Sequence, residues 1–138
     1  MPQTKTVLIL CTGNSCRSQM AQALVNHDLG PRVRALSAGT WPQSKVAEGA
    51  IAALSLAGIA TEGLYPKDVE SVMHESIDLV VTVCDNARES CPIFPRPIPS
   101  VHLPFHDPHG EPLESFVRVM NEIRATLLPV VAQQLDVS

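Results

Sequence analysis

Cys11 and Arg17 bracket the short stretch Thr12, Gly13, Asn14, Ser15 and Cys16, with Ser18 directly after. A thiol and a guanidinium at this spacing, joined by small residues, suit chemistry on a tetrahedral oxyanion. Arg17 offers a planar fork that matches two oxygens at once. Backbone amides left free in a tight turn at a helix N-terminus form a nest for the same anion. A positive field of this kind favours the thiolate, so a depressed Cys11 pKa is expected. Ser18 is placed to donate to the Cys11 sulfur. Thr12 to Ser18 are therefore the candidate oxyanion-binding residues, with Cys11 as nucleophile. Cysteine is also a common buried residue, and a C-x5-R spacing alone carries little weight. Its setting between a strand and a helix, with Gly13 for an awkward dihedral, carries the assignment.

The elements that must position these groups follow from periodicity. The apolar run Val7-Leu8-Ile9-Leu10 is a strand, about Thr6–Leu10, that stops at Cys11. A helix is expected over Ser15–Leu29, stopped by Gly30-Pro31. A second strand over Val33–Ser37 runs into the turn Ala38-Gly39-Thr40. Val46, Ile51, Leu54 and Ile59 mark a second helix ending near Gly58, and Pro66–His74 suits a short third one with proline in its first turn. Leu79–Val83 is continuously apolar and β-branched, as a strand buried on both faces should be. Val101–Phe105 is a weaker strand bounded by prolines, and Phe116, Met120, Ile123 and Leu127 repeat along a final helix from about Leu113. Alternating strands and helices predict an α/β fold: a single domain, residues 1–138, with a doubly wound four-stranded parallel sheet and helices on both faces. Such sheets place their sites at the carboxyl ends of the strands, where Cys11, Cys84 and the Phe105–Asp107 segment all fall.

A chain of 138 residues with net charge −4 and no Lys/Arg run has no nucleic-acid or anionic-membrane partner in prospect. Anion binding must then be local to the loop. The four apolar residues before Cys11 are too few for a signal core, and no stretch approaches a membrane span, so a cytoplasmic setting with reduced thiols is expected. Four cysteines in that setting point to catalysis or metal rather than structural staples.

Cys84 ends the third strand, and Cys91 follows in Asp85-Asn-Ala-Arg-Glu-Ser-Cys91-Pro92. Were this segment helical, the two cysteines would start ~10 Å apart at ~1.5 Å rise per residue. A disulfide needs Cα atoms about 4.4–6.8 Å apart, so bonding them would unwind the segment and loop it out. The prolines that follow, at 92, 95, 97 and 99, make it a plausible flap. Zinc is the rival reading, but no C-x2-C pair or matching histidine spacing supports it, and no metal is expected. Asp107, held extended by Pro108, is the candidate proton carrier to a leaving oxygen. His102, His106 and His109 cluster in sequence, yet a strand and its following turn need not converge them. Cys16 is either a second thiol for an oxidised Cys11 or packing at the loop base, and Trp41 either edges the pocket or covers the sheet.

Three stretches carry a resemblance: Val7–Met20 (VLILCTGNSCRSQM), Leu79–Pro95 (LVVTVCDNARESCPIFP) and Phe105-His-Asp107-Pro108. Together they resemble the thioredoxin-coupled arsenate reductases, which are built on the low-molecular-weight tyrosine phosphatase fold, a flavodoxin-like architecture. The resemblance implies that Cys11 is the nucleophile, Cys84 and Cys91 the resolving pair, Arg17 the anion clamp and Asp107 the proton-transfer group. It further implies arsenate as substrate, thioredoxin or another thiol as reductant, and no organic cofactor. Some members hold a potassium ion through an asparagine, an acidic residue of the first helix and a serine after strand two. Asn14 and Ser37 are the equivalents, but Gln22 stands where the acid would be, so the ion is not expected here. His109-Gly110 also replaces the aromatics that tyrosine phosphatases of this fold tend to carry after Asp-Pro. The competing readings are a small tyrosine phosphatase, which would use Cys11, Arg17 and Asp107 alone, and a non-catalytic oxyanion or redox sensor.

Overall fold

A computed structural model of the chain describes residues 4–84 and 97–137. The segment Asp85–Cys91, for which a helical turn and a flap are expected above, lies outside the described residues. The first apolar run forms β1 (Lys5–Cys11) and the second forms β2 (Val33–Gly39). The β-branched run forms β3 (Leu79–Thr82), and a short edge strand forms β4 (Ser100–His102). Every neighbouring pair is parallel, in the order β2-β1-β3-β4. From Thr6 onward every β1 residue is buried, so this central strand is covered on both faces, as its unbroken apolar sequence requires. The chain winds outward from β1 to β2, then crosses back past β1 to β3. The switch point therefore lies between the ends of β1 and β3, where crevices of open parallel sheets form.

Among the described residues, three helices cover the sheet: α1 (Arg17–Leu29), α2 (Glu48–Leu56) and α3 (Leu113–Gln134). Met20 and Leu24 of α1, with Ile123 and Leu127 of α3, meet Leu8, Ile9 and Leu10 in a core with essentially no solvent exposure. Each such side chain contributes about 1.5–3 kcal/mol by leaving water. Arg124 of α3 clamps the end of α1 by a two-point contact with Asp28, both bonds 2.7 Å. The guanidinium holds the Asp28 carboxyl below the usual carboxylate range.

Several boundaries differ from expectation; the second strand, for one, runs on to Gly39 through two of the residues expected to turn. The first helix begins at Arg17, two residues later than expected, because Ser15 and Cys16 belong to the turn; Cys16 has φ −133° and ψ −82°. The expected helix over Pro66–His74 is only a 3-10 turn at Val69–Val72. Its first half is drawn extended beside β2: Gly39 N donates to Lys67 O, and Gly39 bridges Asp68. Asp68 then caps the turn by accepting from Ser71 N at 3.0 Å. The last strand covers Ser100–His102 rather than Val101–Phe105, since Pro104 has no amide for a ladder.

Gly49 lies in the first turn of α2, where a Cβ would sit 2.5 Å from the Phe116 ring of α3. Overpacking costs about 1–3 kcal/mol, against which alanine gains about 1 kcal/mol in helix propensity. Gly49→Ala should therefore lower stability by up to about 2 kcal/mol in urea unfolding, with the slope m unchanged. A more stable variant would place the α2–α3 contact further apart than described.

Candidate active site

The turn between β1 and α1 is shaped by the strap that follows β2. Amides of the strap donate outward-in to the loop carbonyls: Thr40 N to Cys11 O at 3.2 Å, Trp41 N to Thr12 O at 2.9 Å, Gln43 N to Gly13 O at 2.8 Å, and Ala47 N to Ser15 O at 2.8 Å. With its carbonyls committed to one side, the loop presents its N–H groups to the other. Among the described residues, the amides of Gly13 to Ser18 donate to no backbone carbonyl. Free amides arranged around a helix N-terminus are an anion nest. Gly39 makes the close approach possible: a Cβ there would stand 2.5 Å from Thr12 O. Asn14 sits at φ +49°, in the left-handed region that asparagine tolerates.

These groups line an open cleft of about 470 Å³, whose walls include Cys11, Arg17, Gln43, Lys45, Asp107 and His109. Arg17 crosses to the far wall, donating from Nη1 to Phe105 O at 3.1 Å while its Nη2 lies 3.6 Å from Asp107 Oδ2. Its Nε is buried with no protein partner. Asp107 in turn accepts the His109 amide on Oδ1 at 3.1 Å, which fixes the carboxyl at the mouth of the cleft. Half of the Asp107 side chain remains exposed.

Cys11 and Cys84, both buried, meet across the switch point. Thr12 directs its amide to Cys84 Sγ at 3.1 Å and its hydroxyl lies 3.2 Å from the same sulfur. The donors expected to favour a Cys11 thiolate are thus aimed in part at its neighbour. The Cys11 thiol is pushed well above the ordinary thiol range, first by its hydrogen bond with Cys84 and next by burial, with Arg17 pulling the other way. This reverses the depressed pKa expected from the loop alone. Two sulfurs in contact cannot both carry charge, and a thiol that bonds to its neighbour keeps its proton. Cys16, also buried, is pushed up to about 12, chiefly by burial and then by Asp107. It is a protonated, packed thiol in this state.

A chemical test follows from this cause. In Cys84→Ala the largest upward influence on Cys11 is gone. Iodoacetamide modification of Cys11, mapped by mass spectrometry, should climb through alkaline pH without levelling in the unchanged protein. In the variant it should level off at lower pH and be at least about tenfold faster near neutrality, the ratio that one pH unit represents. Superimposable pH profiles would remove Cys84 as the cause.

Several expected contacts are absent or different. Ser18 Oγ accepts from Asn14 Nδ2 at 2.8 Å, and among the described residues it makes no bond to Cys11. Trp41 is 77% exposed and neither edges the cleft nor covers the sheet; only its backbone serves the loop. The three histidines do not converge, for His102 meets Thr82 at 2.7 Å and His106 meets Glu111 at 2.6 Å, while His109 faces the cleft. Cys91 lies outside the described residues. Gly39, the strap and the Thr12 contacts with Cys84 were not singled out from sequence. Gly39 alone left a trace, as a glycine at a strand end among small residues.

A thiol at the end of a parallel strand, set against a guanidinium and a nest of amides, is an arrangement chemically suited to attack on an oxyanion through sulfur. The family model for low molecular weight phosphotyrosine protein phosphatases matches residues 6–136, and the chain belongs to that family. Within it, an arsenate reductase of Bacillus cereus is 39% identical over 127 residues, covering 92% of this chain and 94% of that one. A Staphylococcus epidermidis arsenate reductase is 38% identical over 124 residues, covering 89% and 93%. The crystal structure of an arsenate reductase from Archaeoglobus fulgidus superposes with a TM-score of 0.77 at 31% identity, covering 91% of this chain and 98% of that one.

Proposed function

We propose that this protein is an arsenate reductase, converting arsenate to arsenite through Cys11, Cys84 and Cys91. The observation that carries the reading is the second thiol at the base of the loop: Cys84 is in hydrogen-bond contact with Cys11 and is itself held by Thr12. Phosphoryl transfer has no use for a sulfur there. A redox relay needs one.

The chemistry balances with Cys11 starting as a thiol. Hydrogen arsenate enters the amide nest against the Arg17 fork, Cys11 sulfur bonds to arsenic, and one As–O bond breaks. The thiol proton and the departing hydroxyl leave together as water, with Asp107 as carrier at the mouth of the cleft. Cys84 then attacks Cys11 sulfur. The S–As bond breaks, its electron pair stays on arsenic, and the Cys84 proton goes to the departing arsenite; arsenic is reduced by two electrons and the two sulfurs are oxidised to a disulfide. Cys91 attacks Cys84, releasing Cys11 as a thiol and leaving Cys84–Cys91 for exchange with a dithiol reductant. The sequence resemblance implies thioredoxin or another thiol as that reductant.

The deciding experiment couples the protein to thioredoxin, thioredoxin reductase and NADPH and supplies arsenate. NADPH should be consumed mole for mole with arsenite formed. Hydrolysis of p-nitrophenyl phosphate with no arsenate-dependent NADPH consumption would favour the phosphatase reading, for which Cys11, Arg17 and Asp107 suffice.

A further inference from the structure

Asn14 is fully buried, and its side-chain amide is spent on both ends. Oδ1 accepts from Lys67 N at 2.9 Å, which fixes the orientation of the amide. Nδ2 therefore faces the other way, donating to Ser18 Oγ at 2.8 Å and to Ser37 Oγ at 2.9 Å. Ser37, itself fully buried, donates onward to Gln22 Oε1 at 2.5 Å. Gln19 grips the backbone of the same residue, donating from Nε2 to Asn14 O and to Tyr65 O, both 2.9 Å. Two helix positions, one strand residue and the 65–67 segment thus converge on the one left-handed residue of the oxyanion loop.

The potassium ion held at this place by some similar reductases does not fit these residues. A cation needs converging lone pairs and some negative charge nearby. Here the group aimed between Ser18 and Ser37 is an NH₂ donor, the Ser37 proton is committed to Gln22, and Gln22 is neutral. Gln19 Oε1 is buried without a partner, but one amide oxygen is not a coordination shell.

We propose that Gln22 is a positioning residue: through Ser37 and Asn14 it holds the oxyanion loop by neutral hydrogen bonds, so that the loop keeps its shape without a monovalent cation. The inference rests on reading the loop as the anion site, and its test therefore avoids turnover. Thermal unfolding and protection of Cys11 from alkylation by inorganic phosphate are measured in potassium chloride and in tetramethylammonium chloride, both at about 0.1 M so that screening is equal. The unchanged protein should give one melting temperature and one phosphate affinity in both salts. Gln22→Glu places a carboxylate beside Ser37 and should make both quantities potassium-dependent, with a melting point several degrees lower in tetramethylammonium and restored by potassium. Gln22→Met removes the acceptor and should weaken phosphate protection about fivefold, as loss of one net hydrogen bond would, equally in both salts. Potassium dependence in the unchanged protein would overturn the proposal. So would a Gln22→Glu protein indifferent to potassium, or a folded Gln22→Met protein with full phosphate affinity. A protein that fails to reduce arsenate yet shows this pattern would defeat the proposed function and leave the inference standing.

Discussion

Cys11→Ser should abolish both arsenate reduction and phosphatase activity, whereas Cys84→Ser should abolish reduction alone. A serine hydroxyl at the end of β1 is a far weaker nucleophile than sulfur and cannot later form a disulfide, so no adduct leads onward in either reaction. The expected loss is to background. In the proposed relay Cys84 acts later, when an arsenic–sulfur bond must be broken by a second sulfur. Phosphorus in a cysteinyl phosphate is not reduced by thiols, and water can hydrolyse that bond with Cys11, Arg17 and Asp107 in place. Cys84→Ser should therefore retain p-nitrophenyl phosphate hydrolysis, while arsenite formation with the coupled reductant disappears. Serine preserves an acceptor for the Thr12 amide, so the loop base should keep its shape. A folded Cys84→Ser protein that lost hydrolysis as well would show that Cys84 shapes the anion nest, and the division of roles would fail.

That division could be read only in part from the sequence. The strands were legible because β1 and β3 are buried without interruption, and an unbroken run such as Leu79-Val80-Val81 has few other places to go. Cys11, Arg17 and the turn between them were legible because they are local. The helix misplaced over Pro66–His74 shows the opposite case. Proline in a first turn, followed by apolar residues, is good local helix chemistry, yet the backbone of Lys67 is claimed by Gly39, which precedes it by twenty-eight positions. Long-range pairing overrode propensity there. The same limit explains the Cys11 pKa. From the loop alone, Arg17 and free amides argue for a thiolate. The opposing influence is a sulfur seventy-three positions away, brought alongside only by the parallel pairing of β1 with β3. The strap amides were invisible for a related reason, since backbone atoms carry no residue signature.

Cys91→Ser is expected to reduce one arsenate per molecule and then stop. Its first two steps are intact: Cys11 can take up arsenate, and Cys84, held against it by Thr12, can displace arsenite. The product of that turnover is a Cys11–Cys84 disulfide. Both sulfurs are buried in the reduced protein, Cys11 at 3% and Cys84 at 6% exposure, and thiol–disulfide exchange requires in-line access for the attacking thiolate. A protein reductant meeting that bond finds it under the loop and the β3 end, so the variant should accumulate as the oxidised species. Rapid mixing with excess arsenate should give a burst of about one arsenite per protein, the amplitude that marks a covalent product which is not released, followed by a steady rate near zero. Peptide mapping of the stalled protein should find Cys11 joined to Cys84. Sustained turnover by Cys91→Ser with thioredoxin would mean that the reductant reaches Cys11–Cys84 directly, and Cys91 would then have no place in the relay.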